Sequence, residues 1–133
     1  MRITRLIYLF FLLETLLLAS CKTATLTEAR EQYLRGEYYA ASETYRKVYR
    51  NVKPDQRPLR GVVAYEMAET YRRLNSATRA ANAYANAIRY NYPDTLMYLH
   101  YAQMLHKEGK YTQAQNAYEE FLELDSLNSV GLI

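Results

Sequence analysis

Gly109-Lys110-Tyr111-Thr112-Gln113-Ala114-Gln115-Asn116-Ala117-Tyr118-Glu119-Glu120-Phe121 decides the fold of this chain, because its skeleton occurs three times. A turn residue is followed by alanine, then tyrosine, then an apolar residue at fixed steps. Gly36 leads to Ala41, Tyr45 and Val48, and Asn75 leads to Ala80, Tyr84 and Ala87. An aromatic residue sits two places after the turn in the outer copies (Tyr38, Tyr111), where the second has Ala77. The second and third copies lie 34 residues apart and the first and second 39, the five extra residues falling in Pro54-Asp55-Gln56-Arg57-Pro58. Ahead of each turn a small residue recurs, as Ala29, Ala68 and Ala102.

Each repeated position has a physical task. Gly36 and Gly109 accept the left-handed backbone that ends a helix, and Asn75 is the next best residue for it. The alanines let two helices approach where a larger side chain would part them. Tyr45, Tyr84 and Tyr118 fill the space between one unit and the next. Only four Gly and three Pro occur, which predicts helices joined by short turns.

A period of 34 residues with this pattern resembles the tetratricopeptide (TPR) family. The resemblance covers nearly all of residues 21–128 and implies an all-α fold, a helix-turn-helix solenoid of about three repeats at roughly 22–55, 61–94 and 95–128. Such units stack because none can bury its apolar face alone. The tyrosines are then mostly packing residues: Tyr38, Tyr45, Tyr71, Tyr84, Tyr111 and Tyr118 by the repeat, and Tyr98 and Tyr101 as further apolar positions of a first helix. Tyr33 and Tyr65 differ, since their register faces the inner groove of a TPR stack.

Ahead of the repeats, Arg2 and Arg5 precede an apolar run, Leu6 to Leu18, that is interrupted by Glu14-Thr15. Leu18-Ala19-Ser20-Cys21 then closes the layout of a secretory signal. A run of 13 residues is short of the roughly 20 that span a bilayer. The four residues also resemble the lipobox of bacterial lipoproteins. That resemblance implies a signal peptide at residues 1–20, cleavage before Cys21 and lipid on its sulfur. It also implies a place in the periplasmic leaflet of an outer membrane, since neither an adjacent aspartate nor an acidic export run follows Cys21. The chain has this single cysteine, so an intramolecular disulfide is excluded.

Charge excludes little else. The chain carries a formal net charge of +3, its charges are interspersed, and no marked basic excess points to nucleic acid. No catalytic constellation or cofactor motif is present, and the expectation is a protein that is not an enzyme. His100 and His106 stand six residues apart, about 240° around a helix, so they share no metal-binding face. Glu28 and Glu31 are spaced for acid–base pairing, but carboxylates on an opening helix are the commoner reading.

The inner face of the first helices is the better candidate. By TPR register it includes Arg30, Tyr33, Tyr65, Glu69, Arg72, Arg73, Gln103, His106 and Lys107, a moderately basic, partly aromatic lining for a protein partner. Its arginines suit bidentate pairing with carboxylates. Ser129-Val130-Gly131-Leu132-Ile133 closes the sequence with apolar side chains, and the expectation is that a further element begins there.

Lipobox and repeats together resemble the N-terminal region of Bacteroidetes outer-membrane lipoproteins in which TPR units precede a propeller and an OmpA-like domain. The likeness implies a scaffold in envelope assembly or secretion, with peptidoglycan binding left to residues beyond Ile133. Two alternatives stay open. One is a SusD-like lipoprotein in which Tyr33 and Tyr65 stack on sugars. The other is the docking module of a longer periplasmic enzyme.

Overall fold

The computed structural model describes residues 1–8 and 23–129. Cys21, most of the expected signal segment and Val130–Ile133 lie outside the described residues. A helical stretch at residues 2–8 comes first in the chain. Six helices follow: α1 (Leu26–Leu34), α2 (Tyr38–Asn51), α3 (Arg57–Arg73), α4 (Ala77–Arg89), α5 (Leu96–Lys107) and α6 (Tyr111–Ser129). The fold is all-α, with no strand among the described residues. No described helix is long and apolar enough to cross a membrane.

Helix starts and stops follow local chemistry. Thr25 accepts the Glu28 backbone N–H at 3.1 Å, and Thr25-x-x-Glu28 is a capping-box spacing. Pro58 lies inside the first turn of α3, where its missing N–H costs nothing. The expected five-residue insertion is thus shared between the connection and the helix start. At the other ends, Gly36, Asn75 and Gly109 take φ of 78°, 54° and 73°. Each closes the same pair of bonds. Gly36 N–H donates to the Tyr33 carbonyl and Glu37 N–H to that of Gln32, at 3.0 and 2.9 Å. Asn75/Ser76 and Gly109/Lys110 repeat the arrangement. Asn91, with φ 56°, ends α4 in the same way and was not singled out by the repeat. This is the Schellman closure, which satisfies two of the last free carbonyls.

Each helix packs against the next in sequence. Connections of a few residues between packed helices make them antiparallel neighbours. The repeated alanines are the contact layer: Ala29, Ala41, Ala68, Ala80 and Ala102 are 0 % exposed and Ala114 is 1 %. Tyr45 and Tyr84 are buried and Tyr118 is half-buried, as their register predicts. Tyr111 departs from that reading at 65 % exposed. It opens α6, whose principal neighbour among the described residues is α5, and its ring meets that of His106 in a T-shaped pair with centroids 5.2 Å apart. Gly61 is buried for want of space: a Cβ there would lie 3.3 Å from Tyr90 Cβ, so α3 passes hard against the end of α4.

Candidate functional site

Side chains of α3 meet those of α1 on one side and those of α5 on the other, across a shared surface. Arg30 of α1 forks onto the Glu66 carboxylate of α3, with Nε at 2.9 Å and Nη2 at 2.6 Å. The bidentate bond to Glu66 raises the Arg30 guanidinium above its ordinary value. Further along the same two helices, Arg73 Nε donates to the Tyr33 hydroxyl at 3.3 Å. Between α3 and α5, His100 Nδ1 lies 2.9 Å from Glu69 Oε1. Lys107 Nζ donates to Asn75 Oδ1 at 2.9 Å, reaching the turn that follows α3.

Glu69 is the most heavily engaged residue of this surface. Its carboxylate also accepts from Arg72 Nη2 at 2.6 Å and from the buried Tyr84 hydroxyl. Burial alone would raise this carboxyl, but bonds from His100, Arg72 and Tyr84 outweigh it and hold the group at about 2. Burial, followed by the bond to Glu69, pushes the Tyr84 hydroxyl well above the ordinary tyrosine range. One carboxylate thereby ties α3 to α4 and α5.

Two clefts flank this hub. One of about 440 Å³ is lined by Arg30, Tyr33, Leu34, Tyr45, Tyr65, Glu66 and Glu69. The other, about 370 Å³, is lined by Arg72, Gln103, Met104, His106, Lys107 and Tyr118. Eight of the nine residues expected from the sequence line one or the other, and the ninth, Arg73, bonds to Tyr33. Glu69 and Arg72 are committed to each other and Arg30 to Glu66, which leaves them poorly placed to receive a partner's charge. Arg73 and Lys107 have no carboxylate within 4.0 Å among the described residues. The aromatic lining is also partly used. Tyr65 stacks on Tyr92 with centroids 4.2 Å apart, which covers one of its two faces. Tyr33 meets Tyr38 edge-on at 5.3 Å.

Glu66, Tyr84 and His100 complete the surface and were not among the expected site residues. Glu66 had a signal, since it precedes Glu69 by three residues and shares its helix face. His100 had none, because its partner is fixed by the register between helix pairs. Among the described residues no group of three or more His, Cys, Asp and Glu is placed to hold a metal ion.

No protein-family model matches this chain, and no curated protein sequence does either.

Proposed function

We propose that the chain is a TPR lipoprotein: three helix-turn-helix units held to the outer membrane through lipid on Cys21, docking a protein segment on the α1/α3/α5 surface. The single observation that carries the docking role is that bonds between residues 31 to 40 apart in sequence join the first helices into one lining with two open clefts. The equivalence of Ala29, Ala68 and Ala102 in burial, and of Gly36, Asn75 and Gly109 in backbone, supports reading the pairs as one repeated unit. The partner's acidic groups would meet Arg73 and Lys107, and its apolar side chains the Tyr33/Leu34/Tyr65 cleft. The scaffold serves envelope assembly or secretion in this reading and performs no catalysis.

The test is crosslinking capture from intact cells with a C-terminally tagged gene product, beside the Arg73→Glu/Lys107→Glu variant. Capture of envelope proteins that the variant loses supports the proposal. Capture unchanged in the variant would remove this surface from the function.

A further inference from the structure

The stretch from Arg46 to Arg60 holds six cations and one carboxylate, Asp55, in a chain whose charges are otherwise mixed. It spans the end of α2, the 52–56 connection and the first turn of α3. The fold draws these parts together and adds the end of α4. Arg60 Nη1 donates to the Val52 carbonyl at 2.7 Å and Nε to the Tyr90 hydroxyl at 3.0 Å. Its guanidinium lies over the Tyr49 ring, 4.4 Å from the centroid. Arg57 Nη2 donates to the Arg89 carbonyl at 3.2 Å. None of Lys47, Arg50, Lys53, Arg57, Arg60 or Arg89 has a carboxylate within 4.0 Å among the described residues.

Helix electrostatics accounts for part of this cluster only. Cations at the C-termini of α2 and α4 complement the helix dipole. Arg57 and Arg60 do the reverse, because they stand in the first turn of α3, which holds no acidic residue. Exposed leucines accompany the cations: Leu59 is 38 % exposed in that same turn and Leu96 is 51 % exposed at the start of α5.

Topology gives the patch a direction. Antiparallel helices put the 52–56 and 90–95 connections at one end of the row of helices and the turns at Gly36, Asn75 and Gly109 at the other. Asn128, near the end of α6, donates to Thr95 at 3.1 Å and belongs to the first end. So do residues 23–25, where the chain enters α1 only two residues after Cys21. The cations and exposed leucines therefore share the end at which residues 23–25 enter α1, together with Asp55, Asp94 and Asp125.

We infer that this end is a docking face for an anionic phospholipid surface, with Arg50, Lys53 and Arg57 over the headgroups and Leu59 against the interface. The inference rests on the lipid-anchor reading of Cys21 for its orientation. Acyl chains and a polybasic patch are complementary means of membrane attachment. The patch would set the row of helices upright on the bilayer, with the turns at Gly36, Asn75 and Gly109 pointing away from it.

The test uses the chain from residue 21 onward with Cys21→Ser, which removes lipid. Cosedimentation is measured with vesicles containing phosphatidylglycerol, with vesicles of phosphatidylcholine alone, and in competition with soluble polyglutamate. The expected result is binding to the phosphatidylglycerol vesicles only, lost at high salt. Arg50→Glu/Lys53→Glu/Arg57→Glu should weaken it on the order of a hundredfold with unchanged circular dichroism. If that variant misfolds, Gln at the same three positions serves in its place. No binding to anionic vesicles, or equal binding to neutral ones, overturns the inference. Binding to polyglutamate in place of vesicles also overturns it and assigns the patch to an acidic protein. The anchor reading is judged separately, by whether Cys21→Ser releases the full-length protein from membranes in cells.

Discussion

The Tyr84 hydroxyl donates to the same Glu69 oxygen that faces His100 Nδ1, so a single carboxylate oxygen joins three helices. Tyr84 is 0 % exposed, so its hydroxyl is shielded from bulk water. Tyr84→Phe should lower stability by about 1.5–3 kcal/mol, the usual contribution of a hydrogen bond to a charged group. Glu69→Ala should cost at least as much, since it strands the Tyr84 donor and frees Arg72. Urea denaturation followed by helical signal checks both. A loss below about 0.5 kcal/mol for Tyr84→Phe would mean the bond is replaced by water.

Acid should act through the same carboxylate. Its native value is held down at about 2, against an ordinary value of 4.5. A depressed carboxyl stabilises the fold above its unfolded value and loses that contribution as pH falls through the native one. The stability advantage of wild type over Glu69→Gln should therefore be full above about pH 4.5 and shrink steadily toward pH 2. Thermal melts of the pair across that window decide it; a constant difference would exclude Glu69 ionisation as the cause.

The left-handed turns make a prediction of opposite signs. Nothing lies within 4 Å of a Cβ built on Gly36 or Gly109, so replacing either by Ala costs backbone strain alone, about 1–2 kcal/mol. Asn75 already endures φ 54°, and Asn75→Gly should be neutral or stabilise by up to about 1 kcal/mol. Chemical denaturation of the three variants tests this, and stabilisation by Gly36→Ala would contradict it.

Overpacking should locate the contact layer between helices. Ala68 is 0 % exposed, and Ala68→Leu forces α3 from its neighbours at about 1–3 kcal/mol. Ala85, half-buried on α4, should accept Leu at a smaller cost. Equal effects at the two sites would show that Ala68 is not held by close helix contact.

In the proposed docking surface, Arg73 and Lys107 are the cations to reverse. Arg73→Glu/Lys107→Glu should reduce partner capture while leaving the melting temperature within a few degrees, since exposed charges contribute little to stability. Arg72→Glu should instead unfold the hub at Glu69. Comparable melting losses in both variants would mean that Arg73 and Lys107 are structural too.

How much of this was legible before the structure depends on whether a residue answers to its own helix or to another. Gly36, Asn75 and Gly109 were legible because the demand for a left-handed residue is local. Ala29, Ala68 and Ala102 were legible because close approach repeats with the unit. Asn91 was missed since the repeat marks the end of first helices only. The Glu69–His100 pairing spans 31 residues and depends on how one pair sits on the next, which no periodicity encodes. Averaging charge along the chain hid the cations between Arg46 and Arg60, which the fold gathers with Tyr90. Tyr111 was misread as a packing residue because its register was clear while its cover was not.

The ties across the α1/α3/α5 surface are all polar: Arg30 to Glu66, Arg73 to Tyr33, Lys107 to Asn75 and His100 to Glu69. The alanine layer beneath them is apolar and closely spaced. Stiffness is therefore unequal across the thickness of the molecule. Flexing that opens the clefts trades side-chain bonds for bonds to water, at little cost where the groups are exposed. Flexing that parts the alanines would expose apolar surface. The row of helices should behave as a leaf spring clamped along its alanine side, and the proposed docking of a bulky segment would draw on that give.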